Sequence, residues 1–242
     1  MGESIVFTSG KGGVGKTTTI ANTSVRLSLF GKKVLMLDND MGLRNLDVVM
    51  GLEDKINYNI LDLLDGKCSL RQALIRDRRF PNLYLIPASL YLPEYRQYQE
   101  AYYVLLQQLK QQFDYCMIDC PAGIDQGFLF SVNAADRIIL VTTPHISAIK
   151  DAQRVIKILP NPSQLPLQLV INQYERSLVR RKQMLSAEDI YELLTIPILG
   201  TVPRDSSILI SENQGDPCIT LKSKISAAYD QLALRLLEES RG

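Results

Sequence analysis

The sequence predicts an α/β protein with a mostly parallel central sheet of about seven or eight strands and helices on both faces. Two observations support this fold class. Short apolar segments of strand length recur along the chain with helix-compatible stretches between them, as in parallel sheets that are covered on both sides. The chain of 242 residues, 46% of them hydrophobic and 22% charged, is also long enough to bury a large core.

Seven segments have the composition of buried strands. They cover residues 4–8, 33–37, 83–86, 115–118, 138–142, 167–171 and 198–202. Helices are predicted around residues 60–64 and 70–74. Because no internal repeat, low-complexity tract or linker interrupts the series, we predict a single domain over residues 1–242.

Polar side chains collect where these predicted strands end. Asp38 and Asp119 directly follow two strands, Asn172 follows a third, and Asp205 lies just after the last one. Ligands of parallel sheets bind beyond the carboxyl ends of the strands. We therefore expect these four residues to lie around the binding site.

A glycine-rich loop between the first strand and the helix-compatible stretch after it carries the main functional signal. Its sequence is Gly10-Lys11-Gly12-Gly13-Val14-Gly15-Lys16-Thr17, which satisfies the pattern G-x-x-x-x-G-K-[ST]. The glycines allow backbone N–H groups to curl around a phosphate. Lys16 is placed to contact the β- and γ-phosphates, and the Thr17 hydroxyl to bind Mg²⁺. The loop therefore predicts a nucleoside triphosphate site with Mg²⁺.

A dinucleotide site is the competing interpretation of the same loop. Gly10, Gly12 and Gly15 also satisfy G-x-G-x-x-G, and Asp38 ends the next strand, where a dinucleotide fold keeps its ribose-binding acid. Lys16 and Thr17 decide against it, because a dinucleotide site needs neither a lysine nor a hydroxyl directly after the last glycine.

Three carboxylates are candidates for work at the metal and the attacking water. Asp119 ends a strand, where such an acid usually holds the Mg²⁺ shell; a helix cap or turn is the alternative. Asp38 and Asp40 are two residues apart, so in an extended chain both point the same way. One could then orient or deprotonate water while the other supports the metal shell. The alternative is a polar turn built on Asp38-Asn39-Asp40.

Lys11 adds a second lysine to a loop that already has Lys16. It could neutralise the γ-phosphate of a facing subunit, as an arginine finger does in trans. The alternative is an ordinary solvated lysine.

Composition excludes several classes of protein. The net charge of +1 gives no global electrostatic case for nucleic acid or anionic membranes. The four cysteines (Cys68, Cys116, Cys120 and Cys218) lack C-x-x-C spacing and there is one histidine, so we expect reduced thiols and no zinc site. No apolar run approaches the ~20 residues that span a bilayer, and no signal peptide is visible. We expect a cytoplasmic or plastid stromal protein.

The chain resembles the deviant Walker A ATPases, the family of ParA, Soj, the nitrogenase iron protein and MinD. The family loop K-G-G-x-G-K-[ST] matches residues 11–17. Residues 40–47 resemble the D-x-G-L-R-N-L-D stretch of the MinD branch, and residues 82–89, 119–124 and 200–205 are similar to further segments of it. The flagellar branch, FlhG, usually lacks the arginine that stands here as Arg44. The similarity reaches to about residue 217.

The resemblance implies a slow, partner-stimulated ATPase that forms a homodimer with ATP sandwiched between its subunits and regulates septum placement. Lys11 would contact the partner's nucleotide, and Lys16 its own. Asp38 and Asp40 would form the first switch, with Asp40 near the attacking water, and Asp119 would hold Mg²⁺ through water. Implied partners are a MinC-like division inhibitor and a MinE-like regulator, with FtsZ inhibited indirectly.

The implied nucleotide contacts extend beyond the loop. They include Thr18 on the following helix. Asn172 and the segment from Pro203 to Asp205 would frame the adenine. Cys120 stands where this branch commonly has serine, a change that preserves side-chain size.

The C-terminal segment departs from the branch, whose members usually end in a basic amphipathic membrane-binding helix. Ile225, Tyr229, Leu232 and Leu236 recur at helical spacing, after which the sequence ends in residues 238–242. We expect this helix to dock on the core, and no separate membrane-targeting helix is evident. Peripheral binding to the inner face of a membrane is left open.

Other features have a structural and a functional interpretation. Tyr91, Tyr95, Tyr98 and Tyr102 could form a partner surface, although a packed helix face is favoured. We expect the basic clusters at residues 76–79 and 180–182 to be solvated surface rather than DNA-binding sites. His145 is expected to lie in a turn. The alternative functions are a ParA-like or FlhG-like positioning scaffold, acting on DNA or flagellar machinery, and a kinase-like metabolic enzyme.

Overall fold

The computed structural model describes residues 1–159, 165–217 and 223–239, and within these ranges eight strands form one sheet. The strands are β1 (Glu3–Thr8), β2 (Val34–Asp38), β3 (Ile75–Arg76), β4 (Leu83–Ile86), β5 (Tyr115–Asp119), β6 (Arg137–Thr142), β7 (Leu167–Tyr174) and β8 (Ile198–Pro203). Their order is β3-β4-β2-β5-β1-β6-β7-β8, and every pair is parallel except β3–β4. The predicted fold class is confirmed.

Helices cover both faces of the sheet. They are α1 (Lys16–Leu29), α2 (Leu46–Val49), α3 (Ile60–Leu64), α4 (Leu70–Ala73), α5 (Tyr95–Gln112), α6 (Gln126–Val132), α7 (Ile146–Ile158), α8 (Arg176–Arg180), α9 (Ala187–Leu194), α10 (Ser207–Asn213) and α11 (Lys224–Glu239), with a 3₁₀ turn at Glu53–Lys55. The helices predicted around residues 60–64 and 70–74 are α3 and α4. A capping box explains where α3 begins, since Asn59 Oδ1 accepts from Asp62 N at 3.3 Å and Asp62 Oδ2 accepts from Asn59 N at 3.1 Å.

Two hydrophobic clusters fill the space between the sheet and its helices. On β1, Ile5 and Phe7 face the cluster of α1 and α11, whereas Val6 faces the cluster of α5 and α6. This alternation follows from the two-residue period of a strand. Because both faces are covered, the central strands are apolar almost throughout, which is why they were recognisable in the sequence.

The register of the sheet positions the strand-end carboxylates. Asp38 of β2 pairs directly with Asp119 of β5, and Phe7 of β1 also pairs with Asp119. The loop that begins at Gly10 therefore leaves β1 at the level where the two acids end their own strands. Parallel strands thus bring residues from distant parts of the sequence to one edge.

Helix α11 docks on the core through the predicted face. Ile225, Tyr229, Leu232 and Leu236 are all buried, and α11 lies against α1 and β8. Arg26 of α1 forms an ion pair with Asp230. Among the described residues, no helix is long and apolar enough to cross a membrane.

The tyrosine series divides between core and surface. Tyr102 is fully buried and Tyr95 nearly so, while Tyr98 is half-buried and donates to Asp65 Oδ1 at 2.7 Å. Tyr91 precedes α5 and is 81% exposed. The packed-face interpretation therefore holds for Tyr95 and Tyr102.

One basic cluster differs from the expected solvated surface. Arg79 donates through Nη2 to Asp77 Oδ2 at 2.7 Å and through Nη1 to Gly215 O at 2.8 Å, and Asp77 is fully buried. Arg78 beside it is exposed, as predicted.

Cys68, Cys116 and Cys120 are free thiols, and Cys218 lies outside the described residues.

Candidate nucleotide-binding site

The glycine-rich loop forms one wall of a cavity of about 920 Å³ at the carboxyl edge of the sheet. The other walls are formed by the first turn of α1, the loop after β2 and the residues at the ends of β7 and β8. Predicted site residues on its wall are Gly12, Gly13, Val14, Gly15, Lys16, Thr17, Thr18, Asp40, Asn172, Pro203 and Asp205. The structure thus brings together residues separated by almost 200 positions in the sequence.

The backbone of the loop depends on glycine at two positions. Gly13 and Gly15 have φ of +76° and +88°, in the left-handed region that other residues adopt only with strain. Gly15 is also crowded, because a Cβ there would lie 2.1 Å from Asn172 Nδ2. The amide of Asn172 donates to Val14 O at 2.7 Å and so holds the loop from the end of β7.

Lys16, Thr17 and Asp119 form the polar centre of the site. Lys16 Nζ donates to Asp119 Oδ1, and Thr17 Oγ1 donates to Asp119 Oδ2 at 2.7 Å. Burial is the largest single influence and disfavours the ammonium of Lys16, but the charge and hydrogen bond of Asp119, together with the nearby Cys120 and Asp40, outweigh it, so the pKa of Lys16 lies above its ordinary value. A buried lysine that remains charged suits the binding of an anionic phosphate.

Asp38 and Asp40 occupy different environments. Asp38 is fully buried, and its carboxylate accepts from Asp40 N at 2.9 Å and from Leu46 N at 3.2 Å. It therefore shapes the turn after β2, which is the alternative that the sequence left open. Burial and the nearby Asp119 raise the pKa of Asp38 to about 8.

Asp40 is the carboxylate that reaches the cavity wall. Burial raises its pKa above the ordinary value, while the Lys16 ammonium opposes the increase. The two acids were expected to point the same way in an extended chain. The turn that Asp38 stabilises removes this common direction, and of the two acids only Asp40 lines the cavity.

The remaining loop residues, Gly10 and Lys11, lie outside the cavity wall. Lys11 is exposed, and Ser9 Oγ donates to its carbonyl oxygen at 3.0 Å. Gly10 approaches α7 closely, since a Cβ on it would lie 2.5 Å from the Asp151 carbonyl carbon. The loop is therefore anchored on its outer side while the Lys11 side chain faces solvent.

Asn172, Pro203 and Asp205, which were expected to frame the adenine, all lie on the cavity wall. The Asn172 amide is already bonded to the loop, and its Oδ1 accepts from Gln173 N at 2.8 Å. Asp205 Oδ1 accepts from Ser207 N at 2.9 Å, at the start of α10. Arg204, within the expected segment Pro203–Asp205, shares this wall, and so does Gln173 (φ +56°), which was not predicted.

Sequence reasoning also missed a buried polar junction behind the switch. Asn39 N donates to Asp119 O at 2.8 Å, and Asn39 Nδ2 donates to Tyr102 Oη at 2.7 Å and to Ser131 Oγ at 3.1 Å. Asn39 thereby joins the ends of β2 and β5 to α5 and α6. No spacing in the sequence indicates these contacts, although the position of Asn39 between two acids is a weak signal.

The donor set fits magnesium rather than a softer metal. Thr17 and Asp119 offer hydroxyl and carboxylate oxygens, which hard cations prefer. Within the described ranges, no group of three or more His, Cys, Asp or Glu residues could hold a metal ion by itself. Such a site suits an ion that is also coordinated by substrate phosphates and water.

Family models match most of the chain. A model described as an AAA domain matches residues 2–166. A ParA model, described as a NUBPL iron-transfer P-loop NTPase, matches residues 99–237. The range matched by the AAA model includes the whole phosphate loop.

Curated relatives and solved structures agree on one branch. The septum site-determining protein MinD of Bacillus subtilis is 45% identical over 99% of this chain and 91% of its own length. The MinC:MinD cell division complex of Aquifex aeolicus has a TM-score of 0.89 at 38% identity, covering 98% of this chain and 96% of that one. MinD of Pyrococcus horikoshii, solved with Mg-ADP, has a TM-score of 0.87 at 31% identity, covering 99% and 98%. The chain therefore belongs to the MinD family of septum site-determining P-loop ATPases.

Proposed function

We propose that this ATPase acts as a switch in division-site placement: it dimerises when it binds Mg-ATP, recruits a division inhibitor as a dimer, and separates after hydrolysis. The observation that supports this proposal is the centre formed by Lys16, Thr17 and Asp119. Lys16 and Thr17 line a cavity large enough for a nucleotide, and the buried carboxylate of Asp119 behind them accepts a hydrogen bond from each.

Each residue of this centre has a distinct part in the proposed reaction. Lys16 would exchange Asp119 for the β- and γ-phosphates, which are stronger anionic partners. Thr17 and, through water, Asp119 would hold Mg²⁺, which neutralises charge on the phosphates as the γ-phosphoryl group is transferred to water. The loop N–H groups and the N-terminus of α1 would hold the remaining phosphate oxygens.

Asp40 is proposed to orient the attacking water. It lies on the cavity wall near Lys16, while Asp38 behind it fixes the turn that presents it. A carboxylate with a raised pKa is a better proton acceptor than an ordinary surface aspartate. Asp38 would then be a positioning residue, because its oxygens are bonded to backbone N–H groups.

Lys11 is proposed to act across the dimer. Its exposed side chain at the loop rim can extend toward a facing subunit, where its charge would stabilise the partner's γ-phosphate. Each subunit would then complete the other's site, so dimerisation and ATP binding would be coupled. A MinC-like inhibitor would dock on the dimer, as the MinC:MinD complex of Aquifex aeolicus suggests, and a MinE-like regulator would stimulate hydrolysis.

The test uses Asp40→Ala. With saturating Mg-ATP, this variant is expected to bind nucleotide, hydrolyse it at least tenfold more slowly and accumulate as dimers, measured by light scattering after size exclusion. The matched control is Asp54→Ala, which removes an exposed carboxylate from the 3₁₀ turn. If Asp40→Ala binds ATP and stays monomeric, the proposed switch is wrong.

A further inference from the structure

Helix α10 places a carboxylate against the phosphate loop. Thr18 Oγ1 donates a hydrogen bond to Glu212 Oε1, although the two residues are 194 positions apart. Thr18 is buried in the first turn of α1, and Glu212 is half-buried near the end of α10. Both side chains lie on the wall of the nucleotide cavity.

This contact uses the donor that Thr18 would offer to a ligand. A threonine hydroxyl has one hydrogen, so Thr18 cannot donate to Glu212 and to a phosphate oxygen at the same time. Thr18 follows Lys16 and Thr17 in the first turn of α1, whose N–H groups would face the phosphates of a bound nucleotide. A nucleotide would therefore compete with Glu212 for this hydroxyl.

The position of Glu212 is fixed by contacts at both ends of α10. Asp205 accepts from Ser207 N where the helix begins. Beyond its end, Gly215 meets Gly51 so closely that a Cβ on Gly51 would lie 2.7 Å from Gly215 O, and Arg79 Nη1 donates to the same oxygen at 2.8 Å. The carboxylate is thus held beside the phosphate loop by packing.

We propose that Glu212 sets the affinity of the site for nucleotide. Its charge repels the phosphates, and its bond to Thr18 must break before they bind, so it weakens the binding of ATP and ADP alike. This inference rests on the proposed nucleotide site. Helix α10 contains none of the sequence motifs, yet through Glu212 it controls how tightly the site binds nucleotide.

The experiment measures the Kd of Mg-ADP and of a non-hydrolysable Mg-ATP analogue by calorimetry. Glu212→Gln keeps the size of the side chain and removes its charge, so both Kd values are expected to fall about fivefold to tenfold. Glu212→Ala also removes the acceptor and is expected to bind at least as tightly. The gain should shrink at high salt, because a half-buried charge is partly screened.

Glu188→Gln is the matched control, since Glu188 is exposed on α9 and outside the cavity wall. Urea unfolding of each variant confirms that it is folded. Unchanged or weaker binding by folded Glu212→Gln would overturn the inference, and weaker binding would mean that Glu212 holds the nucleotide. Failure of the unaltered protein to bind either nucleotide would instead overturn the proposed function.

Discussion

At the scale of single residues, the phosphate loop depends on a contact that its own sequence does not contain. The loop pattern is local, so Gly12–Thr17 could be predicted from the sequence in full. The amide of Asn172 that holds Val14 comes from another strand, 158 residues away. Strand-end position indicated that Asn172 lies near the site, but no pattern could show that it braces the loop.

Gly15→Ala is expected to damage the loop far more than Gly31→Ala. Both glycines have a positive φ, +88° and +85°, so both substitutions carry a similar backbone cost of about 1 kcal/mol. In the part of the chain that the structure describes, a Cβ on Gly31 would have no atom within 4 Å, whereas a Cβ on Gly15 would lie 2.1 Å from Asn172 Nδ2. Calorimetry with Mg-ADP should show at least a tenfold higher Kd for Gly15→Ala and little change for Gly31→Ala. Equal affinities would contradict the role assigned to Asn172.

Asn39 shows why buried polar residues escape sequence reasoning. Periodicity identifies apolar faces, but it does not tell which polar residue is buried or which partner satisfies it. The Asn39 amide is buried with Tyr102 and Ser131, and among the described residues its Oδ1 has no hydrogen-bond partner. Loss of a hydrogen-bond partner of the Asn39 amide should therefore lower the free energy of unfolding.

Tyr102→Phe tests this junction with a substitution that removes one oxygen atom. It deprives Asn39 Nδ2 of its closer acceptor, at 2.7 Å, inside a fully buried site. The free energy of unfolding is expected to fall by about 1–2 kcal/mol. Tyr103→Phe is the control on the same helix, since Tyr103 is 52% exposed, and it should change stability by less than about 0.5 kcal/mol. Equal urea midpoints would show that the junction adds nothing.

At the scale of whole elements, the strands and helices that could be predicted from the sequence are those with a long or regular apolar pattern. Seven of the strands and the buried face of α11 were expected, because burial on one or two faces leaves a pattern. Strand β3 was missed, since two residues at an antiparallel edge are too short to show any period. The Arg79–Asp77 pair was missed because a run of charges does not reveal a buried acid.

Leu232→Ala should show that α11 is part of the core. Leu232 is 1% exposed and packs closely on Gly200 of β8, where an added Cβ would lie 2.5 Å from Leu232 Cδ2. Removing the Leu232 side chain therefore opens a cavity between the helix and the sheet. We expect a loss of about 3 kcal/mol in the free energy of unfolding, measured by urea. Leu234→Ala, on the same helix but 45% exposed, should cost less than about 1 kcal/mol. A small effect of Leu232→Ala would mean that α11 is only loosely docked.

At the scale of the whole molecule, the parallel topology explains why the site could be located from the sequence before the order of the strands was known. Strand ends converge on one edge whatever their order, so Asp38, Asp119 and Asn172 could be grouped before the order was known. The position of α10 could not be predicted, because its contacts with α1 and with Gly51 are set by packing and not by strand polarity. Charge is the other property of the whole molecule that the sequence supplies directly.

The charge balance predicts that this protein does not use DNA as its scaffold. A net charge of +1 leaves little general attraction to a polyanion, so binding would depend on local patches such as Arg180 and Arg181, at the end of α8. Filter retention of duplex DNA with Mg-ATP is expected to stay near background at 50 mM salt, and Arg180→Ala/Arg181→Ala should not lower it. Phosphate contacts make affinity fall steeply with salt. Strong retention that disappears by about 200 mM salt, and in the double variant, would show that α8 binds DNA and would favour a ParA-like scaffold over the proposed switch.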